Sequence, residues 1–159
     1  MQRPIVGFHQ DEQRDWVAEL SCGHGQHVRH RPPFTLRPWV TTPEGRASRL
    51  GERLDCVRCD RLELPDGFVA FHRTPVLTEE SVPRQLRSAH ATKPGTWGLL
   101  EVLSGSLVYV IEGDPERRTT LAAGEQVRIA PEVRHHVDLV GRVAFTVEFF
   151  RAKPPAQPA

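Results

Sequence analysis

The chain has 159 residues, 38% of them hydrophobic, and its 21 basic and 20 acidic residues nearly cancel. No apolar run approaches the roughly 18 residues of a membrane-spanning helix, and the opening M-Q-R-P-I-V-G-F-H-Q lacks the apolar stretch of a secretory signal. These features exclude a membrane partner and the large basic excess of a dedicated nucleic-acid binder, and a soluble, cytoplasmic protein is expected.

Residues 5–20 read as two strands, I-V-G-F-H-Q and W-V-A-E-L, about a polar D-E-Q-R-D turn. Such a hairpin has too little surface to stand alone. In S-C-G-H-G-Q-H-V-R-H-R-P-P-F the glycines permit a tight knuckle and the Pro pair ends any strand. Residues 31–51 read as loop with a short helix near 43–50. L-D-C-V-R-C-D-R follows, and the L-P-D-G turn at 64–67 marks a boundary between a small module, 1–62, and a second domain, 63–152. The tail 153–159, K-P-P-A-Q-P-A, has the composition of a disordered segment.

From Phe68 the pattern is β, interrupted by T-E-E-S-V-P-R-Q-L-R, which reads as one short helix with Thr78 as its N-cap. Turn residues at 104–106, 113–115, 123–125 and 141–142 then cut out W-G-L-L-E-V-L, L-V-Y-V-I-E, T-T-L-A, Q-V-R-I-A, H-V-D-L-V and V-A-F-T-V-E-F-F. Short strands at this spacing predict a sandwich or barrel.

All three cysteines fall in the first module, two of them as C-V-R-C. Three cysteines cannot form a complete disulfide set, and a C-x2-C knuckle with a second C-x-H knuckle has the ligand types of a structural zinc site. The expected ligands are Cys22, His24, Cys56 and Cys59, with His27 and His30 near enough to stand in for His24. Zinc would also supply the staple that a module of this size needs. Arg29, Arg31, Arg37 and Arg46 make either a phosphate-binding face or an ordinary solvated surface.

A second set, His90, His136 and Glu148, lies on or beside predicted strands and would form a 2-His-1-carboxylate site for a divalent zinc, iron or nickel ion. Adjacent histidines on a strand point to opposite faces, so one of the pair looks inward; His136 is preferred and His135 is the alternate. Lys93 and Trp97 are placed as ligand-binding residues at the pocket, the ammonium drawing in an oxyanion.

The motif W-V-A-E-L-x-C-G-H-x-Q-H-V-R-H-x-P-P with its later C-x-x-C resembles a family of short, uncharacterised bacterial domains over residues 4–61. Residues 64–151, with L-P-x-G-F-V-A-F-x-R-T-P, V-P-x-x-L, H-x-T-K-P-G-T-W-G, P-E-V-x-H-H-V and F-T-V-E-F-F-R, resemble the YeaR/TehB N-terminal type of tellurite-resistance-associated cupin. That resemblance implies an all-β fold, a cupin-type double-stranded β-helix barrel, and a link to bacterial responses to tellurite and to nitrate or nitrogen oxides. The sequence departs from the general cupin pattern: the first H-x-H positions hold Ala91 and Lys93, and Gly98 stands where a ligand Glu is usual. The later cupin motif is better kept, as Gly124, Pro131 and His136.

Two functions are expected from these readings. One is a metal-binding cupin of bacterial stress response that binds or transforms a small molecule or oxyanion. The other is a non-enzymatic sensor or adaptor whose zinc module contacts nucleic acid or protein, with the barrel as ligand sensor or homodimer platform. Fold alone does not separate them.

Overall fold

The structure, a computed structural model, describes residues 1–155. Of the expected disordered tail, 156–159 lie outside the described residues. The chain divides into two compact units, Met1–Pro65 and a second from Asp66 onward.

The first unit is built on a four-stranded sheet. β1 (Gln2–Gln10) pairs antiparallel with β2 (Trp16–Leu20) as the expected hairpin, Gln10 opposite Trp16. β3 (Gly25–His27) adds to β2, and β4 (Arg53–Asp55) adds to the other side of β1, giving the order β3-β2-β1-β4. β1 therefore touches both strands that lead into the cysteine knuckles. Ile5, Val17, Ala18, Leu20, Val28 and Val40 form the buried apolar set. Within the expected helical stretch, α1 (Pro43–Ala47) starts where Thr42 accepts a hydrogen bond from Gly45 N at 3.1 Å and Pro43 occupies the first turn. α2 (Val57–Asp60) follows β4 directly.

The second unit is built of strands with one 3-10 turn, and its sheet curls on itself. Its strands are β5 (Phe68–Arg73), β6 (Leu77–Thr78), β7 (Trp97–Ile111), β8 (Arg117–Ala122), β9 (Gln126–Ile129) and β10 (His135–Ala152). They lie in the order β5-β10-β7-β8, with β6 on β10 and β9 on β7.

Two of the expected turns are instead bends inside long strands. Ser104-Gly105-Ser106 lies within β7 and Gly141-Arg142 within β10, both glycines at positive φ (+71 and +85). The bends face each other, since Gly105 is opposite Val143 and the register shifts between Leu139 and Val143. Each half of β7 then has its own outer neighbour, β9 on Gly98–Glu101 and β8 on Ser106–Ile111. Bending both strands at one level rolls the sheet over a single core, which includes Leu100, Val102, Leu107, Tyr109, Val137, Phe145 and Val147.

The helix expected over residues 78–87 does not form. Thr78 and Ser81 close a local turn with their hydroxyls, Thr78 N donating to Ser81 Oγ at 2.9 Å, which competes with helix hydrogen bonding. Pro83, at φ −59 and ψ 140, has no N–H to continue a helix, and only a 3-10 turn, Arg84–Arg87, follows. No helix of the described residues is long and apolar enough to cross a membrane.

Candidate metal centre and interior cavity

Cys22 and His24 leave the end of β2 in a knuckle that Gly23, at φ +91, allows; Gly23 N donates to Leu20 O at 2.8 Å and Leu20 N to His24 O at 2.9 Å. Cys56 caps α2 and Cys59 lies within it. Because β1 pairs with both β2 and β4, the two knuckles meet. Four potential ligand atoms, one from each of Cys22, His24, Cys56 and Cys59, lie within 4.8 Å of one another, and all four residues are buried. His24 Nδ1 is 3.5 Å from Cys22 Sγ, 3.3 Å from Cys56 Sγ and 3.6 Å from Cys59 Sγ; Cys22 Sγ and Cys56 Sγ are 3.9 Å apart. His27 is exposed and bonded to Asp11 at 2.8 Å, and His30 Nδ1 accepts from Arg37 N, so His24 is the imidazole of the cluster.

Three buried thiols this close compete for protons. A hydrogen bond to Cys59 lowers Cys22, whereas the same bond and then burial push Cys59 up to about 12, and burial raises Cys56. Arg3, which sequence reasoning missed, is 3% exposed on β1, and its charge acts on Cys59 in the direction that favours thiolate. A cationic side chain buried on a strand is the signal that would have singled it out.

Arg29 and Arg31 both pair with Asp15, and Arg46 stacks over Trp16 at 3.6 Å while donating to Val40 O at 2.8 Å. Three of the four arginines considered for a phosphate-binding face are thus engaged with the protein itself.

In the second unit a cavity of about 220 Å³ opens inside the curled sheet. Leu100, Val137, Phe145, Val147 and Phe149 supply apolar wall, and the polar lining comes from His90, His135, Tyr109 and Thr92. His90 reaches it through a β-bridge to His135, with backbone N–H···O bonds of 3.0 and 2.8 Å in both directions. The two imidazoles lie 4.2 Å apart between ring centroids, and Tyr109 is 5.5 Å from His135.

This corrects the expected pocket. His90 is at the cavity as expected, but its partner is His135; neither His136 nor Glu148 lines it. His135, Val137 and Leu139 share one face of β10, while His136 shares the other with Asp138. Turning the apolar set inward leaves His136 outside, bonded to Glu112 at 2.8 Å and facing Asp138 at 3.3 Å. The same alternation further along puts Phe145, Val147 and Phe149 inward and Glu148 outward, opposite Arg73 of β5. Among the described residues, the Cys/His cluster of the first unit is the one grouping of three or more His, Cys, Asp or Glu with metal-site spacing. Lys93 is exposed in a turn and Trp97 is wholly buried at the start of β7; neither lines the cavity.

Sequence reasoning also missed Tyr109, the sole tyrosine of the chain. It is 1% exposed, and among the described residues its hydroxyl has no hydrogen-bond partner. A phenol in the middle of the apolar run L-V-Y-V-I is itself a signal, because a buried Tyr normally finds a partner for its polar tip. Burial raises the Tyr109 hydroxyl well above its ordinary pKa, and burial pushes His135 down to about 4, so both are neutral at pH 7.

Residues 6–63 match the family model described as a protein of unknown function (DUF3565), and residues 72–147 match the TehB-like domain. The chain is 38% identical over 42 residues to the probable S-adenosyl-L-methionine-dependent methyltransferase TehB of Haemophilus influenzae, an overlap of 26% of this chain and 15% of that protein. A crystal structure of TehB from Haemophilus influenzae is similar with a TM-score of 0.47 at 26% identity, over 55% of this chain and 32% of that one. The chain thus spans well under two thirds of TehB. A crystal structure of an Escherichia coli K12 protein shares the fold, with a TM-score of 0.53 at 23% identity over 58% of this chain and 98% of that one. A cupin-2 domain protein from Shewanella frigidimarina is similar with a TM-score of 0.36 at 14% identity, over 52% of this chain and 70% of that one.

Proposed function

We propose that the chain, in which a segment matching DUF3565 carries a Cys/His metal-binding cluster and precedes a segment matching the TehB-like domain, is a zinc-stapled, cupin-like, small-molecule-binding protein of bacterial tellurite or nitrogen-oxide responses. The ion in the first unit is zinc, held by Cys22, His24, Cys56 and Cys59. The second unit holds its ligand in the interior cavity beside His90, His135 and Tyr109.

The observation that carries the zinc assignment is the spacing of the cluster. A tetrahedral zinc with bonds of about 2.3 Å to sulfur and about 2.05 Å to nitrogen sets S···S edges of about 3.8 Å and S···N edges of about 3.6 Å. In the cluster the Cys22–Cys56 S···S edge is 3.9 Å, the three S···N edges are 3.3 to 3.6 Å, and all four ligand atoms lie within 4.8 Å of one another. With four protein ligands the coordination shell is closed, which suits a structural role, and Arg3 offsets the net negative charge of three thiolates. The stress-response reading is supported by the TehB-like match, and the binding role by the largely apolar cavity with its two imidazoles.

Metal analysis of the full-length protein tests the zinc assignment. One zinc per chain is expected, and Cys56→Ser should release it and unfold the first unit, because structural zinc binding energy is folding energy. A Cys56→Ser protein that keeps full zinc content and the native melting profile would remove the assignment.

A second reading, an adaptor whose first unit contacts a protein, is favoured by Phe34 and Leu36, 94% and 70% exposed on the turn after Pro32-Pro33. The engaged state of Arg29, Arg31 and Arg46 speaks against nucleic acid on that side. Replacing Phe34 and Leu36 by Ser should leave zinc content unchanged and abolish any stable complex formed through this turn.

A further inference from the structure

We infer that the cavity of the second unit takes an uncharged small molecule that brings hydrogen-bond donors, such as a phenol, an alcohol or an N–H heterocycle, and turns away carboxylates and other oxyanions. The inference rests on the proposed binding role and names the chemistry of that site.

The hydrogen-bond inventory of the lining decides it. His90 Nδ1 lies 2.9 Å from Ser88 O and His135 Nδ1 lies 2.8 Å from Val133 O. A carbonyl oxygen only accepts, so both Nδ1 atoms carry a proton, and in a neutral imidazole Nε2 is then a bare lone pair. Among the described residues neither Nε2 of this pair makes a hydrogen bond. Thr92 spends its hydroxyl proton on Thr96 O at 2.7 Å and has lone pairs left. Apart from the Tyr109 hydroxyl, which is buried without accessible surface, no lining side chain has a proton to give. The cavity therefore offers several acceptors and no accessible donor.

Charge points the same way. No Lys or Arg side chain is among the lining residues, and burial keeps His135 neutral at pH 7. An acceptor-only anion would be stripped of water among lone pairs and aromatic rings, with no accessible donor to receive it. A ligand with an O–H or N–H would satisfy an imidazole Nε2. Size is set by the volume: an apolar cavity of about 150 Å³ takes benzene, so about 220 Å³ accommodates a single ring with a small substituent.

The test compares three probes of nearly equal shape on the full-length, zinc-loaded protein at pH 7.5, by calorimetric titration: phenol, toluene and benzoate. Phenol should bind saturably and roughly three- to tenfold more tightly than toluene, the worth of one net hydrogen bond, and benzoate should not bind. His135→Leu should bring the phenol-to-toluene ratio close to one, and His90→Leu should reduce it. Should either variant fail to fold, the wild-type ranking decides alone. Benzoate binding as well as phenol, or toluene matching phenol, overturns the donor assignment and leaves the cavity as a binding site. If none of the three binds, the cavity is not a ligand site and the proposed binding role falls with the inference.

Discussion

Gly105 is exposed and looks replaceable, yet the curl of the second unit depends on it. Its φ is +71, and a Cβ built there would lie 2.0 Å from Arg142 O and 3.0 Å from Val143 Cα, both backbone atoms of β10. Gly105→Ala therefore meets two costs. The left-handed backbone costs a residue with a Cβ about 1–2 kcal/mol. Moving β10 away by more than an ångström gives up pairing opposite Val143, about 1 kcal/mol for each of one or two hydrogen bonds, plus local overpacking of about 1 kcal/mol or more. The sum is about 3–5 kcal/mol. Gly124 is the control: its φ is +87, but nothing lies within 4 Å of an added Cβ, so Gly124→Ala costs only the backbone term. For a domain of this size 1 kcal/mol moves Tm by about 4–8 °C. Differential scanning calorimetry of zinc-loaded protein should show the second unit's transition lowered by roughly 12 °C or more for Gly105→Ala, and by about 4–16 °C for Gly124→Ala. Equal shifts for the two variants would refute the idea that the facing bends, rather than turn conformation alone, hold the sheet curled.

Two further outcomes follow from the side chains on the two faces of β10. His135 has its folded pKa lowered by burial from 6.5 to about 4. As pH falls below about 6.5 the unfolded chain takes up the proton first, so stability should decline from there toward pH 4, by roughly 3 kcal/mol at 1.36 kcal/mol per pKa unit. Denaturant titrations of wild type and His135→Gln should show this extra slope only in the wild type, and parallel pH profiles would contradict the burial of a neutral imidazole. His136→Ala removes a partly buried contact with Glu112 and should cost about 1 kcal/mol, with probe affinity in the cavity unchanged. A loss of probe binding in this variant would mean that the faces of β10 have been assigned the wrong way round.

The Cys/His centre was legible in the sequence because its chemistry is carried by residue type and short spacing. C-G-H and C-V-R-C each hold two ligands within a knuckle, so only the meeting of the knuckles was left to the fold. β1, lying between β2 and β4, brings them together, and His24 rather than His27 is selected because His27 is drawn outward to Asp11. The β character of the second unit was equally legible from its alternating apolar runs. The helix over residues 78–87 was misread because acidic residues after Thr78 resemble a first turn, whereas the Thr78 and Ser81 hydroxyls and Pro83 favour a closed turn.

The sequence by itself determined which residue types were available to each site and which positions alternate along each strand. Only the tertiary structure decided which of the two alternating sets faces inward, because a period of two leaves both faces equivalent until a core exists to bury one of them. Core formation favours His135, Val137 and Leu139 over His136 and Asp138, and Phe145, Val147 and Phe149 over Glu148, because burying an unpaired carboxylate costs more than burying a neutral imidazole whose N–H is satisfied by a carbonyl. The bends at Gly105 and Gly141 were read as turns for a related reason: a glycine at positive φ looks the same in sequence whether the chain reverses or continues, and the difference is the strand waiting on the other side.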